Sequence, residues 1–224
     1  MKTIVSQPNL VEQVRDAILE EISSGALPPG DRIIQEQIAQ ALGVSRQPVQ
    51  QALALLRNQG VLQDAPGRGL LVAPLDPNHV KHMYDIRAVI EGLAARRASE
   101  MGAERAAKAG PALIEAGRKA VAARSVSRMI AADMRLHEFI YSLSGNPLIA
   151  PALETHLTYT QRVMGEVLIR DEKPHDIWDQ HEEILKAIAE GNGDAAETLV
   201  RDHLTQAASF MVSRLLGKNL APSA

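Results

Sequence analysis

Four polar side chains fall on the apolar stripes of predicted helices in the C-terminal part of the chain. Asp133 and His137 are one helical turn apart and point the same way, and His181 and His203 each lie at the centre of an aliphatic stripe. An inward histidine is usually a hydrogen-bonded core residue. Three of them with an aspartate would each need a separate buried partner. One divalent cation would satisfy all four groups through imidazole nitrogens and a carboxylate oxygen.

Arg87 also falls on an apolar stripe, that of the predicted helix over residues 79–101. It could form an intrahelical ion pair with Glu91, four residues further on. Alternatively it is an anion clamp, because a divalent ion with one aspartate ligand leaves a charge of about +1 and Arg87 adds another. Such a site would favour a small carboxylate that ligates the metal and pairs with Arg87. Arg162 points away from the apolar stripe of its own helix and receives little weight.

Helices are required to position these residues, and the periodicity predicts them with breaks at glycine, proline and polar segments. They are expected over residues 79–101, 104–123, 127–144, 147–169, 174–190 and 193–216. Pro111 should kink the second of these helices or delay its start. The prediction is an all-α antiparallel bundle over residues 79–217, followed by a flexible tail at 218–224.

The stretch from Gly43 to Leu53 has the features of a helix-turn-helix. Gly43 suits a left-handed turn, Ser45 is expected to cap the next helix, and Pro48 is tolerated in its first turn. The opposite side of this helix from its buried stripe carries amides and guanidiniums, which suit the major groove. The helix residues expected to contact DNA are Arg46, Gln47, Gln50 and Gln51.

Two further helices and a hairpin are expected to complete this domain. The helices are predicted over residues 10–23 and 35–42, the latter with Ile38, Ala41 and Leu42 inward. Apolar runs on both sides of a glycine-rich turn at residues 65–69 predict a β-hairpin. The result is a winged helix-turn-helix over residues 1–74, with Arg68 at the wing tip and a linker at 75–78.

Three motifs in the N-terminal region occur in an order that resembles the DNA-binding domain of GntR-type bacterial transcription regulators. They are Ser24-Gly25-Ala26-Leu27-Pro28-Pro29-Gly30-Asp31, Gly43-Val44-Ser45-Arg46-Gln47-Pro48-Val49 and Gly67-Arg68-Gly69. The resemblance implies binding of palindromic operator DNA by a homodimer, and contact of Ser45, Arg68 and Gly69 with that DNA. The chain departs from the family where Gln50 replaces the arginine of many relatives. Because of this replacement, we expect the chain to bind DNA but to prefer an operator sequence different from that of many relatives.

The C-terminal region resembles the FCD effector-binding domain of the fatty-acid-regulator subfamily. The resemblance rests on four segments: Asp85-Ile86-Arg87 with Glu91, Asp133 with His137, Gln180-His181, and Gly193-Asp194 with His203. It implies that one Asp and three His hold a metal at the floor of a ligand cavity. The metal is expected to be zinc, with nickel, manganese or iron as alternatives. His79, His82, His156 and His175 match no such pattern and are expected at the surface or flanks.

Composition limits the remaining classes of function. The net charge of -3 places any affinity for nucleic acid in local patches, and 3% aromatic residues argue against base stacking on single strands. The absence of cysteine excludes thiolate sites, and no run could span a membrane. Together with the two resemblances, these limits lead us to expect a cytoplasmic, mainly α, dimeric transcription regulator, either a repressor or an activator, and not an enzyme. The alternatives are a metal-dependent hydrolase and a regulator whose histidines bind the effector without metal.

Overall fold

The computed structural model describes residues 10–168 and 177–218. The chain divides into two compact units, Met1–Pro74 and Leu75–Ala224. Some predictions fall outside the described residues: the helix ends at 169 and 174–176, the break at 171–174, His175 and the tail at 219–224. None of the described helices is long and apolar enough to cross a membrane.

In its described part, the first unit contains three helices and a small antiparallel sheet of three strands. Its elements are α1 Leu10–Ser23, β1 Arg32–Ile33, α2 Gln35–Leu42, α3 Arg46–Asn58, β2 Leu62–Asp64 and β3 Leu70–Val72. The strand order is β1-β3-β2, so the hairpin predicted from the apolar runs is present as β2 and β3. This arrangement of helices and hairpin is a winged helix-turn-helix.

The apolar stripe of α3 lies in the core of this unit. Val49, Leu53 and Leu56 are buried as predicted, and they pack with Val14 and Ile18 of α1. The inward face predicted for α2 is wrong in part. Ala39 is its buried residue and Ile38 is half-buried, whereas Ala41 and Leu42 are exposed. In a helix of only eight residues the packing of the neighbouring elements sets the buried side, and here it selects Ala39.

The turn before α3 has the left-handed backbone predicted at Gly43, with φ 64° and ψ 31°. Its amide and that of Val44 donate to the carbonyls of Gln40 and Ala39, which end α2. Ser45 has the extended backbone of an N-cap residue, but its side chain makes no capping hydrogen bond, so that prediction is wrong.

The strand β1 was not predicted, because it is only two residues long and lacks a periodic signal. Arg32 pairs with Leu71 and Ile33 with Leu70. The Arg32 guanidinium also donates to the carbonyl oxygens of Arg68 at 3.0 Å and Pro66 at 3.2 Å. The wing is therefore held to β1 by a side chain that the sequence did not single out.

The second unit is all helical in its described part. Its elements are α4 Pro77–Met101, α5 Ala103–Ala122, α6 Val126–Leu143, α7 Ile149–Leu168, α8 Ile177–Ala189 and α9 Gly193–Lys218. The Asp76 carboxylate caps α4 by accepting from the Asn78 amide at 2.9 Å, so this helix begins two residues earlier than predicted. The helix α5 begins at Ala103 and continues through Pro111, so a later start is wrong.

Trp178 of α8 packs against Gly117 of α5. A Cβ atom on Gly117 would lie 2.1 Å from the Trp178 ring, so only glycine permits this approach. Trp178 also meets the His181 ring edge-on, with centroids 4.9 Å apart. The pairing of α5 with α8 therefore helps to fix the position of one of the four inward polar residues.

Candidate metal centre and cavity

Three buried imidazoles converge in the second unit. His137 comes from α6, His181 from α8 and His203 from α9. Each offers one ring nitrogen, and these three atoms all lie within 4.8 Å of one another. His181 Nε2 and His203 Nε2 are 3.2 Å apart. Residues far apart in the sequence are thus brought into one cluster, as their inward positions predicted.

Asp133 borders this cluster on α6. Its Oδ1 atom lies 3.6 Å from His181 Nε2, and its Oδ2 atom lies 3.9 Å from His137 Nε2. Burial raises the pKa of Asp133, while His137 and Arg87 oppose that shift. Two ligands about 2.0–2.1 Å from a tetrahedral ion are about 3.3 Å apart, which is close to these spacings.

The outer ring nitrogens of two of these histidines have polar partners. His137 Nδ1 lies 2.6 Å from Glu91 Oε2. His203 Nδ1 lies 2.9 Å from Gln180 Oε1, and Gln180 Nε2 in turn donates to Gln206 Oε1 at 3.0 Å. Because Gln180 presents its carbonyl, His203 donates from Nδ1, and its Nε2 lone pair faces the cluster. Among the described residues, His181 Nδ1 has no hydrogen-bond partner.

Burial and mutual charge decide the protonation of these rings. Burial lowers the pKa of His203 to about 3, and His137 and Arg87 add to this effect. Burial likewise holds the pKa of His181 well below its usual value. Burial opposes the charged form of His137 as well, but the Glu91 carboxylate outweighs it and raises the pKa of that ring. Two rings are therefore neutral near pH 7, the form in which imidazole ligates metals.

Arg87 is a fully buried cation next to this cluster, with 1% of its surface exposed. Its Nε donates to Glu91 Oε1 at 2.6 Å and its Nη1 to Thr160 Oγ1 at 2.9 Å. Burial alone would lower the pKa of Arg87, but Glu91 reverses this and raises it. The intrahelical pair with Glu91 therefore exists, and it is part of a continuous chain of contacts from Arg87 through Glu91 to His137.

A cavity of about 610 Å³ opens onto these groups. Its polar lining includes Arg87, Asp133, His137 and His203, so Arg87 lies both in the ion pair and at the cavity wall. Tyr84 of α4 and the amides of Gln180 and Gln206 also line the cavity, and the remaining wall is apolar and comes from α5 to α9. Its apolar residues are Val121, Met129, Met164, Leu168, Ile177, Trp178, Leu204, Ala207, Phe210 and Met211.

The donor set fits a divalent transition metal. Buried neutral imidazole nitrogens with a carboxylate nearby are the ligands that zinc and its neighbours in the periodic table prefer. The Glu91 carboxylate beside His137 and the Gln180 carbonyl that accepts from His203 are the kinds of outer partner that metal-binding histidines commonly have. His181 Nε2 and His203 Nε2 face each other closely enough to share one proton, and a cation could take the place of that proton.

The predicted DNA-contacting residues lie in the first unit. Ser45, Arg46, Gln47, Gln50 and Gln51 are exposed at the start of α3. Arg68 and Gly69 are exposed in the turn between β2 and β3, where Gly69 has φ 94°. The Arg46 guanidinium pairs with Glu36 of α2 at the surface. An exposed pair of this kind contributes little stability, so Arg46 can exchange it for a phosphate at small cost.

The sequence did not predict the roles of Gln180 and Glu91 or the burial of Arg162 in the second unit. Gln180 and Glu91 orient the histidines, a role that helical phase alone does not reveal. Arg162 was assigned to the outer face of its helix, but it is 2% exposed and lies over the Tyr159 ring, 5.8 Å from its centre. The apolar stripe of α7 did not show this, because α7 is buried around much of its circumference.

Known proteins with the same domains are regulators of transcription. Residues 10–72 match the description "bacterial regulatory proteins, gntR family", and residues 82–206 match the FCD domain. An HTH-type transcriptional regulator in the TAR-I ttuE-ttuC' intergenic region of Agrobacterium vitis is 32% identical over 60% of this chain and 80% of the relative. The HTH-type transcriptional repressor RspR of Escherichia coli (strain K12) is 25% identical over 87% of this chain and 86% of its own.

A solved structure shares the fold of this chain. The E. coli protein McbR/YncC has a TM-score of 0.81, with 21% sequence identity, and the match covers 94% of this chain and 99% of that one. The matched domains and relatives belong to transcription regulators and not to enzymes.

Loss of one imidazole should lower the metal content. In His181→Ala or His203→Ala a donor atom is removed, and we expect metal affinity to fall by at least the roughly 10–100-fold that changes in outer partners cause. Metal should be measured by mass spectrometry on protein purified without a metal-affinity column. The exposed His82→Ala variant is the matched control and should retain wild-type metal. Full occupancy and unchanged melting in both cluster variants would exclude a shared site.

Proposed function

Because this chain belongs to the gntR family of bacterial regulatory proteins and carries an FCD domain, it is a DNA-binding transcription regulator, and we propose that a divalent metal and a carboxylate effector control its DNA binding. Asp133, His137, His181 and His203 would hold the metal. Arg87 would pair with the effector. Zinc is the ion expected from the donor set, with nickel, manganese or iron as alternatives.

The observation that carries this proposal is the position of Arg87. A buried guanidinium lines the same cavity as His137, His203 and Asp133, so one ligand could contact both the cation and the metal. When bound, the metal would supply a Lewis-acidic position for one carboxylate oxygen. Arg87 uses one donor for Glu91 and one for Thr160, and a guanidinium has five in total. Donors thus remain for a ligand.

The route from the effector to the DNA-binding domain is proposed to begin at the N-terminus of α4. Thr160, which accepts from Arg87, follows Tyr159 in α7, and the Tyr159 hydroxyl accepts a hydrogen bond from the Asp76 amide at 3.4 Å. Asp76 lies at the end of the linker and caps α4. A shift of α7 on effector binding could therefore reach the linker, provided that the effector binds the two arrangements with different affinity.

The alternative regulator has no metal, and its histidines bind the effector directly. The two neutral imidazoles and Gln180 could donate or accept hydrogen bonds in that case. Chelation separates the alternatives, because only the metal-dependent site should lose effector affinity when the metal is removed.

We expect Arg87→Ala to weaken binding of a carboxylate effector by about 10- to 100-fold, since a charge-assisted hydrogen bond contributes roughly 1.5–3 kcal/mol. Metal content should stay unchanged, because Arg87 is not among the proposed ligands. Calorimetric titration with carboxylic acids measures the first effect and metal analysis the second. The control is Arg96→Ala on the same helix, whose ion pairs with Asp194 and Glu197 lie outside the cavity. An effector that proves uncharged would refute the clamp.

The operator is proposed to be a palindrome read by two copies of α3, one in each half-site. Arg46 and Arg68 would contribute cationic contacts, and Ser45 and Gly69 would approach the backbone. The amide face of Gln47, Gln50 and Gln51 would favour adenine at a position where arginine takes guanine.

Replacing Gln50 with arginine adds one cation to each half-site. If both reach phosphates, the slope of log K against log salt should steepen by about 0.9 for each contact, near 1.8 in all. Fluorescence anisotropy on operator DNA over a salt series measures the slope, and footprinting detects any change in base preference. Gln13→Arg adds the same charge on the exposed side of α1 and should leave the slope unchanged. An effect on neither slope nor base preference would show that position 50 does not face DNA.

The proposed homodimer has a candidate contact surface on α4. Ile86, Val89 and Leu93 follow one another along this helix and are 46%, 56% and 45% exposed. In an antiparallel pairing of two α4 helices, each Val89 would face the partner's Leu93, and each Asp85 would face the partner's Arg97. One register of the two helices produces both the apolar pair and the charged pair. We therefore propose that a second copy of this chain binds this surface of α4.

Leu93→Asp should shift the protein from dimer to monomer, because it places a charge inside the proposed apolar contact in both copies. Leu216→Asp, at an exposed leucine of α9, is the matched control. Asp85→Arg should weaken the dimer, and adding Arg97→Asp should restore it. Sedimentation velocity gives the dimer fraction at several concentrations. An unchanged dimer fraction in Leu93→Asp would exclude this surface.

A further inference from the structure

We infer that the effector is a monocarboxylate with an elongated apolar body, and this inference rests on the proposed carboxylate site. It follows from the distribution of polar and apolar groups around the cavity. The volume of about 610 Å³ is in the range that accommodates ligands much larger than acetate. The walls therefore constrain the part of the ligand that the metal and Arg87 do not touch.

The polar and apolar groups are separated along the cavity. On α9 the lining residues run from His203, Leu204 and Gln206 to Ala207, Phe210 and Met211, so the polar side chains lie only in the first part of this segment. At 1.5 Å per residue, His203 and Phe210 are about 10 Å apart along the helix axis. The cavity side of α9 thus changes from imidazole and amide at one end to aliphatic and aromatic groups at the other.

The other helices repeat this separation. The contacts of His181 with His203 and of Gln180 with Gln206 show that α8 runs opposite to α9. Ile177 and Trp178, which precede Gln180, therefore lie at the apolar end. On α6, Met129 lines the cavity one turn before Asp133. The contacts of His137 with Glu91 and of Ser144 with Arg97 show that α6 runs parallel to α4. The contacts of Glu197 with Arg96 and of Arg201 with Gly92 show that α4 runs opposite to α9. Three helices thus place their apolar lining residues on the same side of the polar cluster.

Charge limits the ligand to one carboxylate. Among the lining residues that the structure describes, Arg87 is the only lysine or arginine, and Glu91 already neutralises part of its charge. A second carboxylate about 10 Å away would be transferred from water to a wall of Phe210, Met211 and Trp178, where none of the described lining residues is a cation that could pair with it. The methionines at positions 129, 164 and 211 can adapt to an apolar body of irregular shape.

Three acids of graded structure test this inference on the unmodified protein. Acetate has the carboxylate alone, octanoate adds an apolar chain, and octanedioate adds a second charge at the far end of that chain. Each methylene buried in an apolar wall is worth about 4-fold in affinity. Because the alkyl chain of octanoate loses conformational freedom on binding, part of this gain is offset. We therefore expect octanoate to bind at least about 10-fold more tightly than acetate or octanedioate. Calorimetry and the fluorescence of Trp178, the only tryptophan in the chain, provide independent readings.

A variant in the apolar wall makes the assignment specific. Ala207→Phe fills the cavity beside the polar cluster, so octanoate should lose at least about 10-fold in affinity while acetate binding is unchanged. Ser209→Phe is the matched control on α9, since Ser209 is exposed and does not line the cavity. Both acids should bind this control as they bind the wild type. The comparison of acids on the wild type stands even if Ala207→Phe fails to fold.

The outcomes separate this inference from the proposed function. If octanedioate or citrate binds as tightly as octanoate, or acetate does, the apolar-body inference is wrong and the carboxylate site stands. If 1-octanol binds as tightly as octanoate, or no acid binds to protein that holds its metal, then the carboxylate site is wrong and the inference falls with it.

Discussion

The buried charge of Arg87 imposes the constraint on which the second unit depends. A guanidinium removed from water needs partners at fixed positions, and here they come from α4 through Glu91 and from α7 through Thr160. Glu91 is itself buried and contacts His137 with its other oxygen. Arg87 and His137 hold the pKa of Glu91 well below its ordinary value against the opposing effect of burial, so this carboxylate stays charged between two partners. Three helices are thereby joined through one short polar chain.

The series of contacts from Arg87 through Glu91 to His137 would couple the proposed effector to the proposed metal. A carboxylate effector that pairs with the remaining donors of Arg87 would share the positive charge of this side chain with Glu91. Any weakening of the Arg87–Glu91 contact would leave Glu91 a stronger partner for His137, and the basicity of a histidine ligand tunes a bound metal. Effector and metal would therefore influence each other through Glu91 as well as through the direct contact proposed above. The linkage is reciprocal, since a metal that favours one arrangement of His137 must also favour the effector state that shares it.

The two units use arginine in opposite environments. In the first unit, Arg46 and Arg68 are exposed, and the Arg46 pair with Glu36 is open to water. Such cations keep their hydration and their freedom until a phosphate replaces a weak partner, which suits a contact that must form and break. In the second unit, Arg87 is fixed before any ligand arrives, so little ordering cost remains for binding. Exposed arginines that change partners easily suit binding to DNA, and a buried arginine held in place suits binding of the proposed effector.

The sequence by itself determined the local features. Helical phase placed Val49, Leu53, Asp133, His181 and His203 inward, and Gly43 marked the left-handed turn, because these depend on a period of 3.6 residues and on backbone sterics. Tertiary structure alone decided the rest. The two-residue strand β1 exists through its pairing with β3, and Ala39 replaces Ala41 in the core because the neighbours of a short helix set its buried side. The Glu91–His137 and Gln180–His203 contacts and the burial of Arg162 likewise join residues on different helices or depend on surrounding packing. Periodicity reports which way a side chain leaves its own helix, but it carries no information about which atoms of another helix meet it there.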